Sequence, residues 1–66
     1  MNAVFVGMDA WDRPVYKCED GVYIKDVNPR AGFDPELCTC ANNDPDGEPD
    51  TYVNNEITLL PTRVVW

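Results

Sequence analysis

The residues best equipped for chemistry gather between positions 38 and 50. Asn42, Asp44 and Asp46, followed by Gly47, repeat the opening of a calcium-binding loop, in which oxygen ligands alternate and a glycine makes the sharp turn. Asp50 falls at the ninth position of that pattern. The twelfth position, which needs a bidentate carboxylate, is Val53, and Pro45 and Pro49 stiffen a segment that would have to wrap the ion. Asn42, Asp44, Asp46 and Asp50 thus form an incomplete ligand set, and an ordinary acidic surface loop is the first expectation. Cys38-Thr-Cys40 and Cys18 offer three thiolates. Structural zinc takes four ligands, with cysteine pairs usually separated by two to four residues. The separation here is one, so the fourth ligand would have to be a carboxylate such as Asp44 or a cysteine from a second copy of the chain. The simpler expectation is that these cysteines are half-buried small hydrophobes.

Catalytic chemistry finds little support. The chain has no histidine, which removes the commonest general base and the commonest imidazole metal ligand. A cysteine nucleophile needs a base or a cationic setting, and only acids surround Cys38 and Cys40. Paired carboxylates doing acid/base work need a cleft that desolvates one of them, whereas most acids here lie among turn residues. The expectation is a chain that is not an enzyme and takes no cofactor.

Charge says more. The formal net charge is −7. Residues 1–30 are nearly balanced, with Asp9, Asp12, Glu19, Asp20 and Asp26 against Arg13, Lys17, Lys25 and Arg30. Residues 31–62 carry Asp34, Glu36, Asp44, Asp46, Glu48, Asp50 and Glu56 without a single Lys or Arg. Such a field repels phosphate backbones and anionic lipid, so neither direct nucleic-acid binding nor membrane binding is expected; cationic partners are steered toward it. Trp11 and Phe33, large apolar groups in turn-rich stretches, either fold back as lids on the core or serve a partner as apolar anchors.

These residues must be positioned by a small scaffold. At this length a chain hides about 60% of the surface its unfolded form exposes, so one core is the most it can build and association with a partner or another copy would help stabilise it. An odd cysteine count rules out a closed disulfide framework. No apolar run approaches the roughly 20 residues needed to span a bilayer, and residues 3–6 are too few for a signal-peptide core. Cytoplasm is the expected compartment.

The expected fold is mainly β, one domain over residues 1–66: a three-strand antiparallel meander over 3–27, an irregular acidic segment over 28–55, and a C-terminal strand within 56–66 that returns to the sheet. Asp20-Gly21 between two alternating runs marks a tight hairpin. Pro14 at the start of the second strand points to an exposed side or an edge. Asp34-Pro35-Glu36-Leu37 fits one helical turn with Asp34 as N-cap, not a longer helix. The expected core is Val4, Val6, Val15, Ile24, Leu37, Leu59, Val64 and Trp66, with the chain's end tucked onto it.

Four segments, Gly7-Met-Asp-Ala-Trp-Asp-Arg-Pro-Val-Tyr-Lys17, Asp20-Gly-Val-Tyr-Ile-Lys-Asp-Val-Asn-Pro29, Leu37-Cys-Thr-Cys40 and Asn43-Asp-Pro-Asp-Gly-Glu-Pro-Asp50, together resemble small modules of gut-bacterial phages and conjugative elements, of the type associated with large polyvalent proteins. The resemblance spans residues 5–52. It implies no activity, cofactor or catalytic residue, only a setting of phage or mobile-element biology.

The leading expectation is a non-catalytic protein-interaction module that engages a partner, basic in character, through Asp34, Glu36, Asp44, Asp46, Glu48 and Asp50, with Trp11 or Phe33 as anchor. The alternatives are a metal-stabilised structural module, a DNA-mimic inhibitor of a host nuclease, and an accessory fragment without a standalone role.

Overall fold

The computed structural model describes residues 1–53 and 56–65. Six strands, β1 (Asn2–Met8), β2 (Pro14–Cys18), β3 (Tyr23–Asp26), β4 (Leu37–Cys40), β5 (Pro49–Tyr52) and β6 (Thr58–Leu60), form one sheet in the order β5-β4-β3-β2-β1-β6. Neighbours are antiparallel except β1 and β6, which run parallel with Ala3 opposite Leu59. A single 3-10 turn, Ala41–Asn43, is the one helical element among the described residues.

The meander forms as its pattern dictates. At the β2–β3 turn Gly21 has φ 87°, the left-handed conformation that glycine adopts freely, and its N–H donates to the Cys18 carbonyl at 2.9 Å. The Asp20 side chain closes the turn by accepting the Val22 N–H at 3.1 Å.

Several expectations need correction. The sheet is mixed rather than antiparallel, and residues 28–55 supply two strands where an irregular loop was expected. Pro14 opens an interior strand, between β1 and β3. As first residue of β2 it still sacrifices little of the ladder. No helical turn forms at Asp34; Leu37 begins β4 instead. The register of β1 is also one residue from expectation. Val4 and Val6 are 51% and 50% exposed while Ala3 is fully buried. Because strand side chains alternate, one residue of slip exchanges every inward position for an outward one.

Val15, Ile24 and Leu37 are buried as expected, and Leu59 and Val64 are partly buried. The expected core position Trp66 lies outside the described residues. On one face of the sheet Ala3, Tyr16, Cys18, Ile24 and Leu37 form the core, with Phe5, Val22, Val53, Ile57 and Leu59 packed against it. Phe5 meets Tyr16 edge-on, ring centroids 5.7 Å apart. The Tyr16 hydroxyl accepts the Val64 N–H at 3.0 Å, tying the C-terminal segment over this face. On the opposite face Val15, Lys25 and Cys38 stand in register across three strands. They too are buried, so something other than the main core covers them.

Candidate functional site: an acidic loop pinned by a buried lysine

That cover is made by the β1–β2 turn and the loop between β4 and β5. Lys25, with no accessible surface, donates from Nζ to Asp9 Oδ2 at 2.8 Å and to the Gly47 carbonyl. Arg13 Nε donates to the same Oδ2 at 2.7 Å. Asp9 Oδ1 accepts the backbone N–H groups of Trp11 at 2.9 Å and Arg13 at 2.8 Å. Each oxygen of this buried carboxylate thus accepts two hydrogen bonds. Burial pushes the Asp9 carboxyl up, but the bonds from Lys25, Arg13 and Trp11 outweigh it and hold Asp9 far below the usual carboxylate range. A buried charge is tolerated only when paired and hydrogen-bonded, and here Asp9 and Lys25 satisfy that condition for each other.

The loop held by Lys25 carries Asp44, Asp46 and Glu48. Asn42 and Asn43 enter it with left-handed φ of 57° and 52°, a conformation asparagine accepts more readily than most residues. Asn43 ties the loop's start to the β2–β3 hairpin, accepting the Tyr23 N–H at 2.8 Å and donating to the Gly21 carbonyl at 3.2 Å. Within the loop the Gly47 N–H donates to the Asp44 carbonyl at 2.7 Å, and the Asp46 N–H to Asp44 Oδ1 at 3.0 Å. A Cβ on Gly47 would stand 2.5 Å from the Ala41 carbonyl oxygen, so no larger residue fits without moving backbone. Glu48 closes the loop, its carbonyl accepting the Ala41 N–H at 2.8 Å.

A second ionic cluster lies on the main-core face. Arg63 donates to the Phe33 carbonyl, to that of Arg30 at 3.1 Å and to that of Asn28 at 3.4 Å, with Nε 3.6 Å from Asp26 Oδ2. Asp26, fully buried, accepts the N–H groups of Asn28 at 3.0 Å and Glu36 at 3.2 Å through Oδ1. One arginine thereby shapes the 28–36 loop.

The residues singled out from sequence divide between these clusters. Trp11, 73% exposed, and the carboxylates of Asp44, Asp46 and Glu48 sit on segments joined through Asp9 and Lys25. Phe33, 58% exposed, with Asp34 and Glu36, belongs to the loop organised by Arg63. Asp50 is exposed on β5, at the sheet's edge. The ion pairs among the described residues are Asp9–Arg13, Asp9–Lys25 and Asp26–Arg63. Three of the five cations are therefore engaged by acids outside residues 31–62. All seven carboxylates of that stretch are exposed, and none shares in those pairs.

The metal-ligand candidates do not converge. Asn42, Asp44, Asp46 and Asp50 are exposed, and Asp44 spends one oxygen on its own loop. Cys18 shares a face with Ile24, and Cys38 shares the other with Lys25, which separates the thiols. No three His, Cys, Asp or Glu side chains are grouped to hold an ion among the described residues. All three cysteines are free and buried; burial pushes each thiol up, and neighbouring carboxylates push in the same direction. No helix among the described residues is long and apolar enough to cross a membrane.

Sequence reasoning missed Asp9, Lys25 and Arg63. The visible signal for the first was Asp9 and Arg13 bracketing a turn at i, i+4; for Lys25 it was a lone cation in the middle of a short strand. Comparison with protein-family models, with curated proteins and with solved structures returned no match.

Proposed function

We propose that this chain is a non-catalytic protein-interaction module that engages a basic partner through the acidic loop of residues 44–48, with Trp11 as a neighbouring apolar anchor. The observation that carries this reading is the internal division of charge. Asp9 and Asp26 absorb Arg13, Lys25 and Arg63, leaving the seven exposed carboxylates of residues 31–62 outside those pairs. Exposed acids supply long-range steering, and a large aromatic supplies burial at the centre of a contact. Asp34, Glu36 and Phe33 extend the same field from the 28–36 loop. A setting in phage or mobile-element biology belongs to this proposal and draws on the sequence resemblance alone.

The test is capture of partners by the immobilised chain and by a variant carrying Asp44→Lys, Asp46→Lys and Glu48→Lys. A genuine partner is held by the first and released by the second, and its retention falls as salt rises. Recovery unchanged by charge reversal would refute the function. Competition by duplex DNA for the same partner would turn the reading toward a nuclease inhibitor that imitates DNA charge.

A further inference from the structure

The Trp11 turn and the acidic loop are far apart in sequence, yet a continuous set of hydrogen bonds joins them through the protein interior. It runs from the Trp11 and Arg13 N–H groups to Asp9 Oδ1, from Asp9 Oδ2 to Lys25 Nζ, and from Lys25 Nζ to the Gly47 carbonyl. The Asp9 and Lys25 side chains are 1% and 0% exposed, so water has almost no access to the central pair and offers no ready replacement for either partner. At the loop end the contact is backbone, and Gly47 is tied into its loop: its N–H donates to the Asp44 carbonyl, and a Cβ at this position would stand 2.5 Å from the Ala41 carbonyl oxygen. At the turn end Asp9 holds the backbone N–H groups of Trp11 and Arg13, with the Arg13 side chain donating from Nε to the same oxygen as Lys25. A side-chain pair gripping the main chain of two segments fixes their relative position rather than the orientation of one residue.

We propose that Asp9 and Lys25 are positioning residues that lock the Trp11 turn and the acidic loop into one rigid unit, so that a displacement of either segment is transmitted to the other. The functional consequence rests on the interaction function proposed above; the coupling itself does not. With both segments preset, a partner meets an anchor and a carboxylate group already arranged, and the ordering cost of binding falls.

The coupling is read by amide hydrogen exchange in the full chain. Gly47→Ala makes its direct clash within the loop, since its Cβ would stand 2.5 Å from the Ala41 carbonyl oxygen. Exchange at the Trp11 and Arg13 amides is expected to rise about tenfold in this variant, with the Ile24 amide unchanged. In Lys25→Met the same turn amides rise, and adding Gly47→Ala to Lys25→Met raises them no further. Changes confined to residues 41–48, or additive effects at the turn, overturn the coupling. If Lys25→Met does not fold, the Gly47→Ala result alone decides the matter. A second arm uses a hexalysine peptide. Lys25→Met makes the chain more negative, so attraction alone tightens peptide binding, whereas loss of positioning weakens it by about tenfold. Tighter binding by Lys25→Met overturns the positioning role. Failure of hexalysine to bind either chain counts against the interaction function and leaves the coupling to be judged by the exchange data.

Discussion

Removing the two halves of the buried Asp9–Lys25 pair should have unequal consequences, because the partners left behind are unequally served. Asp9→Asn keeps an oxygen for the Trp11 and Arg13 N–H groups but sets an NH2 against Lys25 Nζ and Arg13 Nε, two donors. Arg13, whose side chain is 20% exposed, can recover hydration, but Lys25, at 0%, cannot. An uncompensated buried charge costs about 3–5 kcal/mol. Lys25→Met, by contrast, leaves Asp9 with Arg13 and both backbone donors, fills the vacated volume, and strands chiefly the Gly47 carbonyl, a loss of about 1–3 kcal/mol. At 0.05–0.15 kcal/mol per residue the whole chain holds about 3–10 kcal/mol, so Asp9→Asn approaches complete unfolding and Lys25→Met does not. Urea denaturation followed by far-ultraviolet circular dichroism at pH 7 reads the difference directly. If Asp9→Asn proves less damaging than Lys25→Met, or if both lose less than about 1 kcal/mol, the pair is not buried and interdependent as described.

Other outcomes follow from the same physics. The Asp9 carboxyl is lowered in the folded chain, so its stabilisation is fully present above its unfolded value of about 3.9 and is lost progressively as pH falls below that. The urea midpoint should therefore drop between pH 5 and pH 2.5 in the native sequence and drop less in Lys25→Met; equal slopes would assign the acid sensitivity elsewhere. The three buried, upward-shifted thiols should react slowly with a disulfide reagent at pH 7 and together once the chain is denatured, and one fast thiol in the native chain would contradict their burial. The register of β1 predicts that Val4→Thr changes stability by less than about 0.5 kcal/mol, whereas Ala3→Leu overpacks the core by about 1–3 kcal/mol. Thermal midpoints distinguish these, and the reverse order would restore the register expected from sequence.

How much the sequence disclosed depended on whether a segment had one apolar face or two. The β2–β3 hairpin was legible because Asp20-Gly21 demands a particular turn and alternating runs flank it. β1 was legible as a strand but not in register: residues 3–6 are all apolar, so alternation could not choose between Ala3 with Phe5 and Val4 with Val6. The structure turns Ala3 and Phe5 inward, Phe5 opposite Tyr16 and Ala3 opposite Leu59. β4 and β5 were hidden by their composition, since Leu37-Cys-Thr-Cys40 is short and Pro49-Asp-Thr-Tyr52 is polar. They pair because β3 offers a free flank, a tertiary cause that no local window contains. The exposed carboxylates and Trp11 could be picked out by type. Their mechanical link could not, because a lysine ordinarily lies in solvent and its burial depends on an aspartate sixteen positions away.

The parallel pairing of β6 with β1 sets a condition on how the molecule comes together. The Thr58 N–H donates to the Met1 carbonyl at 2.9 Å, a closure across nearly the whole chain, and contacts of such long range form slowly. Without Thr58–Leu60 beside it, β1 would present an unsealed flank of amide and carbonyl groups, with Val4, Val6 and Met8 on its exposed positions. An open flank of this kind is a template for aggregation, and β6 is the strand that caps it.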